Sequence, residues 1–286
     1  MGDRAPVLHP TTYGSPPHSW IEHPSGLVDL SPNSTQSLEF AAFGGRRIKL
    51  NPSKTALVVV DMQKESYFLH PELRDHPTGL ECVKPLKAVL PVLRQAGINV
   101  IWLNWGLEEK HLSLIPPCLS RCFSKPKLGK WVDPPGLGAD LGPKYGRILI
   151  KGEWNTRLYE GLEAEPQDSW VNKIRMSGFE GSSDSELEKK LREMEITTLL
   201  FAGVNADQCV LGTVTEAFSR GYDVVVIEDL VATTSPDGGK SSLVFNSLHD
   251  LVATTSPDGG KSSLVFNSLH CYGFVTTSQH ILSSQQ

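Results

Sequence analysis

Residues 197–218 read TTLLFAGVNADQCVLGTVTEAF: a run of apolar residues, a short polar turn, and the opening of a helical period. A strand, a turn and a helix in such close succession form the repeating half of an α/β fold. Read outward, the pattern recurs. Strands are predicted at TALVVV (55–60), NVIWLN (99–104), RILI (147–150), SWVNKI (169–174), TTLLFAG (197–203), DVVVI (223–227) and GFVTTS (273–278). Their continuous apolar character is what a sheet covered on both faces requires, since neither side of such a strand meets water. Helices are predicted over 81–96, 184–194 and 207–220, the first and last stopped by Gly97 and Gly221. The expected architecture is a three-layer α/β/α domain with a mostly parallel, doubly wound sheet, its crossovers right-handed.

That domain is expected over residues 51–286. The first 50 residues hold prolines at 6, 10, 16, 17, 24 and 32 and show no helical or strand period, so they read as an extended N-terminal arm. Trp20, Ile21, Leu27, Val28 and Leu30 would pack that arm over the domain or a neighbouring subunit. Between Leu107 and Arg147 a segment rich in Pro, Gly and Lys reads as an excursion over the sheet edge, a lid or a subunit contact. Residues 229–249, DLVATTSPDGGKSSLVFNSLH, recur unchanged as residues 250–270. Repeats that share a core drift between copies, so perfect identity marks a duplication of one turn-plus-helix unit and not a solenoid. One copy is then expected to pack and the other to bulge as a surface loop or extra helix, with some loss of stability.

The chain has 286 residues and a formal charge of −5, which argues against a general nucleic-acid binder. Its longest apolar runs are strand-length, so no membrane span is expected. Five scattered cysteines, with no charged-then-apolar leader at the N-terminus, set the expectation of a thiol-reducing, cytoplasmic setting.

Three residues carry candidate chemistry. Asp61 follows TALVVV directly, at the carboxyl end of a strand, where open α/β sheets place their ligands; its bland alternative is an N-cap. Cys209 stands at a helix start, where dipole and backbone donors favour the thiolate, although a free cysteine is most often a small buried hydrophobe. Lys173 lies where an apolar run turns polar. A carboxylate, an ammonium and a thiol at the ends of three strands would converge on one crevice, which is what covalent catalysis needs.

In their order, TALVVVDMQ, VNKIRMSGF and FAGVNADQCV resemble the three signature blocks of the isochorismatase-like cysteine hydrolase superfamily. WLNWGL, KGEWNTRLYEGL and GVNADQCVLGT further resemble a fungal-type branch of it. The resemblance implies that Asp61, Lys173 and Cys209 are a catalytic triad, and that the peptide joining Val204 to Asn205 is cis. It also implies an oxyanion hole formed by the backbone N–H groups of Asn205 and Cys209. The implied activity is hydrolysis of a small amide or ureido compound at a C–N bond through a thioester, with no cofactor. A homo-oligomer is implied as well, and the only other partner expected is a small-molecule substrate.

Retention of Cys209 argues against the vinyl-ether chemistry of true isochorismatases, in which it would be a bystander. An inactive ligand-binding pseudoenzyme, displaced by the duplication, is the other alternative. WLNWGLEEKHLSL lacks the Asp-x-His element of metal-dependent nicotinamidases, and His111 is too isolated to rebuild it, so no metal is expected. Tyr67, Phe68, Trp105 and Trp154 are candidates for the pocket wall, and Arg175 for a substrate carboxylate; ordinary packing and a surface ion pair compete with these roles. GLGADLG (136–142) follows Pro-Pro and not a strand, so it is no dinucleotide fingerprint. Cys118 and Cys122 lack partners at zinc spacing.

Overall fold

The structure, a computed structural model, describes residues 7–16, 18–64, 78–124, 136–233 and 273–284. Six strands form one sheet: β6 (Thr55–Val60), β7 (Asn99–Trp105), β8 (Ser169–Lys173), β9 (Thr198–Val204), β10 (Asp223–Ala232) and β11 (Gly273–Thr276). Their order is β11-β10-β9-β6-β7-β8, and every neighbouring pair is parallel. The chain winds from β6 toward β8 and then restarts at β9 on the other side of β6. The two windings part between β6 and β9, which makes that junction the topological switch point of the sheet.

Burial explains the apolar runs. Every residue of β6 and β9 is buried, and Leu57, Val58, Leu200 and Phe201 are fully enclosed. Helices α1 (Val83–Gln95), α4 (Glu186–Glu193) and α5 (Leu211–Ser219) flank the sheet. Gly97 and Gly221 take φ of +86° and +88°, the left-handed stops expected of them. The Ser185 hydroxyl caps α4 by accepting the Glu188 N–H at 3.1 Å. The segment after β7 carries two short helices, α2 (Glu109–Leu112) and α3 (Pro117–Cys122).

Two expectations are corrected. RILI is not a strand: Leu149 has φ +57°, and the segment is a turn held by the Asn155 side chain. That amide donates to the Tyr145 and Arg147 carbonyls and accepts the Leu149 N–H. The N-terminal residues form a second sheet and not an extended arm. Strands β1 (Thr11–Ser15), β2 (His18–Glu22), β3 (Leu27–Asp29), β4 (Leu38–Ala42) and β5 (Arg46–Leu50) pair in the order β1-β2-β3-β5-β4. In LEFAA the alternate residues Leu38, Phe40 and Ala42 face inward, joined by Ile48 and Leu50 of β5. Strands of three to five residues between proline and glycine turns are too short to display a period.

This small sheet is sewn to the large one. The Phe43 N–H donates to the Val275 carbonyl at 2.9 Å, and the Thr276 hydroxyl donates to the Ala41 carbonyl at 2.6 Å. The Trp20 indole donates to the Asp223 carboxylate at 2.7 Å and packs on Phe274, ring centroids 5.3 Å apart. After β11, the Thr277 side chain caps α6 (Ser278–Ser283). The repeated segment, 229–270, lies almost wholly outside the described residues, as do Tyr67, Phe68 and Cys271.

Candidate active site

Asp61 leaves β6 at the switch point. Its N–H still bonds to the Leu103 carbonyl at 2.9 Å, but its φ of +51° ends the strand; aspartate is among the few residues that occupy this region readily. Oδ1 accepts the Trp105 N–H at 3.2 Å. Gln63 grips the same backbone group, accepting that N–H at 3.0 Å and donating to the Trp105 and Thr156 carbonyls at 2.8 and 3.0 Å. Asp61 is thereby tied to the end of β7.

Lys173 ends β8 and is fully buried. Its ammonium lies 3.1 Å from Asp61 Oδ2, a charge contact more than an aligned hydrogen bond, and donates to the Arg175 carbonyl at 3.2 Å and to Cys209 Sγ at 3.4 Å. The three donors of a lysine are thus spoken for by a carboxylate, a carbonyl and a thiol. Its fourth neighbour is the face of the Trp105 ring, 3.7 Å from Nζ to centroid.

Cys209 follows β9. The Val204–Asn205 peptide is cis, and a π turn over Ala206–Val210 precedes α5, with the Gln208 and Val210 N–H groups both bonding to the Asn205 carbonyl at 3.1 Å. The Cys209 carbonyl accepts the Thr213 hydroxyl at 2.7 Å, and Met176 Sδ lies 3.9 Å from Sγ. Asp61, Lys173 and Cys209 are 0, 0 and 1 % exposed, so their charges act on one another without water between them.

Burial dominates the electrostatics. It raises the Asp61 carboxyl above its ordinary range, against the pull of Lys173 and the hydrogen bonds to Cys209, Lys173 and Trp105. Burial also pushes the Cys209 thiol up to about 12, the nearby Lys173 opposing and Asp61 adding to the rise. Burial thus opposes the acidifying effect that the helix start suggested for Cys209.

A family model described as "Isochorismatase domain" matches residues 55–256. The chain belongs to the isochorismatase family. Ureidoacrylate amidohydrolase RutB of Caulobacter segnis is 27% identical over 203 residues, covering 70% of this chain and 81% of that protein. The same enzyme of Agrobacterium fabrum is 29% identical over 203 residues, covering 70% and 85%. Among solved structures, a cysteine hydrolase from Pseudomonas syringae pv. phaseolicola superposes with a TM-score of 0.58 at 22% identity, covering 88% of this chain and all of that one. N-carbamoylsarcosine amidase from Thermoplasma acidophilum gives 0.52 at 23% identity, covering 79% and 96%.

In this isochorismatase-family chain the remaining expected residues scatter. Trp105 is fully buried, with Phe123 edge-on at 5.3 Å and the Lys173 ammonium on its ring face. Trp154 packs edge-on to Tyr145 at 5.6 Å, with Lys64 Nζ 5.4 Å above its ring. The Arg175 guanidinium donates to the Ile174 and Leu114 carbonyls at 2.9 and 3.0 Å. Four residues were missed from the sequence. Gln63 and Met176 are described above. Asn104 is fully buried, with neither amide atom hydrogen-bonded among the described residues. Glu180, at φ +56°, accepts the Ile174 N–H at 2.6 Å, and burial raises its carboxyl. Gln63, Met176 and Asn104 lie inside the quoted blocks TALVVVDMQ, VNKIRMSGF and WLNWGL, and Glu180 directly follows the second of these, but nothing in those blocks marked them apart from their neighbours.

Proposed function

We propose that the protein is a cysteine-dependent hydrolase that cleaves a C–N bond of a small amide or ureido compound through a thioester. The observation that carries this reading is the buried contact of Lys173 with both Asp61, at 3.1 Å, and Cys209, at 3.4 Å, at the switch point of the sheet. A carboxylate whose proton affinity is raised by burial is a better base for a thiol than an ordinary aspartate. Asp61 takes the Cys209 proton as sulfur attacks the carbonyl carbon, and the N–H groups of Asn205 and Cys209 receive the oxyanion. Asp61 returns the proton to the departing nitrogen as the C–N bond breaks, leaving the acyl group on sulfur. It then takes a proton from the water that attacks the thioester and gives it to Cys209 sulfur as the C–S bond breaks. Lys173, 3.1 Å from Asp61 and 3.4 Å from Cys209, faces whichever of the two carries the negative charge.

The substrate class follows the names of the relatives: ureidoacrylate and N-carbamoyl amino acids head the panel. Arg175 retains free donors for a substrate carboxylate, and Tyr67, Phe68, Trp105 and Trp154 complete the proposed binding residues. The proposal includes a cytoplasmic homo-oligomer of the fungal-type branch that works without a cofactor. The test is ammonia release from ureidoacrylate and from N-carbamoyl amino acids by wild-type protein and by Cys209→Ala. Turnover lost in a folded Cys209→Ala protein upholds the reading. Ammonia release retained in Cys209→Ala would refute the cysteine mechanism, and a folded wild-type chain inert toward the whole panel would return the vinyl-ether and pseudoenzyme alternatives.

A further inference from the structure

Lys173 and Asp61 are not on neighbouring strands. β7 lies between β8 and β6, so the lysine must cross two interstrand gaps of about 4.8 Å each to reach the carboxylate. Trp105 is paired in register with Lys173 at the end of β7, directly on that path. The ammonium rests 3.7 Å from the centroid of its ring, Phe123 supports the ring edge-on at 5.3 Å, and the Trp105 backbone N–H holds Asp61 Oδ1. One residue therefore orients both members of the buried ion pair. Its indole Nε1, enclosed from solvent, has no acceptor among the described residues. Buried donors are nearly always satisfied, and an enclosed orphan beside reactive groups is a vacancy that an acceptor can fill.

We propose that Trp105 has two separate roles: its ring face positions Lys173 for the triad, and its indole N–H selects substrates that carry an acceptor oxygen next to the scissile group. The class that fits is amide or ureido compounds with a second carbonyl or a carboxylate oxygen. A substrate without that oxygen leaves the donor unpaired in the closed site and is discriminated against for that reason. This inference rests on Cys209 as the nucleophile.

The two roles separate by substitution. Trp105→Phe keeps a ring face and deletes the N–H; Trp105→Leu deletes both. Two readouts are needed: the iodoacetamide alkylation rate of Cys209 at pH 8, which requires no substrate, and kcat/KM for ureidoacrylate. With Trp105→Phe, alkylation is expected to stay within about twofold of wild type while kcat/KM falls roughly ten- to hundredfold, the worth of one hydrogen bond to a charged acceptor. With Trp105→Leu, alkylation itself is expected to slow about tenfold or more, because a desolvated cation loses its ring. Should Trp105→Leu fail to fold, Trp105→Met carries the same measurement. Unchanged kcat/KM in Trp105→Phe overturns the substrate role, and unchanged alkylation in the ring-less variant overturns the positioning role. Loss of the proposed function itself is read separately, as turnover surviving Cys209→Ala.

Discussion

Replacing Lys173 by Met keeps the length and apolar stem of the side chain but strands the Asp61 carboxylate in a site with no exposure. Breaking one partner of a buried ion pair costs about 3–5 kcal/mol, because the remaining charge has lost both water and its counterion. At roughly 2–4 °C per kcal/mol for a chain of this size class, the midpoint of thermal unfolding drops by about 6–20 °C. The loss also has a pH signature. Burial already raises the Asp61 carboxyl in the folded protein, and Lys173 opposes the rise. Without the lysine it rises further, so the folded state binds a proton that the unfolded state releases. A raised carboxyl favours the folded state at low pH and loses that contribution as pH increases through the folded value. The deficit of Lys173→Met is therefore expected to be largest at pH 8 and to shrink toward pH 5, by no more than about 1.4 kcal/mol per pH unit, since one proton is involved. Urea unfolding followed by circular dichroism at pH 5, 6, 7 and 8 measures it directly. The double variant Asp61→Asn/Lys173→Met should recover at least half of the loss. A deficit below about 1 kcal/mol, one independent of pH, or a double variant as unstable as the single would refute a buried charge pair.

Alkylation of Cys209 by iodoacetamide is expected to rise about tenfold per pH unit through pH 9 without a plateau, because burial holds the thiol near 12. Asp61→Asn should accelerate that alkylation, since the carboxylate adds to the rise, while abolishing turnover; a plateau below pH 8 would contradict the geometry. Asn104→Leu removes two unpaired buried amide atoms, so unfolding experiments should find it as stable as wild type or more so. Gly203→Ala should yield little folded protein in a solubility assay, since at φ +107° a Cβ would lie 2.0 Å from the Val60 carbonyl oxygen. Burial raises Asp223 to about 6, against the pull of the hydrogen bond from Trp20, so the stability of the structure around it should fall as pH increases through 6. Hydrogen exchange over residues 18–29 reads this, and Asp223→Asn should flatten the dependence.

The parallel sheet was legible in the sequence because burial on both faces makes β6, β7 and β9 predominantly apolar runs. The same rule misread RILI, whose composition suits a strand but whose Leu149 is left-handed, a choice imposed by Asn155 six residues on. The small N-terminal sheet was hidden by its brevity: LEFAA alternates correctly, yet five residues between turns make a weak signal. Asp61 and Lys173 could be found because each stands at the carboxyl end of a strand, and Cys209 because it stands in the turn into the helix that follows one. What they do to one another could not. That Trp105 stands beside Lys173 is a fact of interstrand register, and that Cys209 is a reluctant acid is a fact of enclosure; neither is written in neighbouring residues.

The hydrogen bonds that join Phe43 to Val275 and Ala41 to Thr276 also set an order of events during synthesis. At roughly 5–20 residues per second, the stretch of chain between these partners takes about 10 to 50 s to emerge from the ribosome. For that time β4 has no β11 to lean on, and the nascent protein carries an open sheet edge of the kind that recruits other chains. Translation that stalls anywhere before Gly273 leaves that edge waiting, so yield in an expression host should follow the speed at which the last strand arrives.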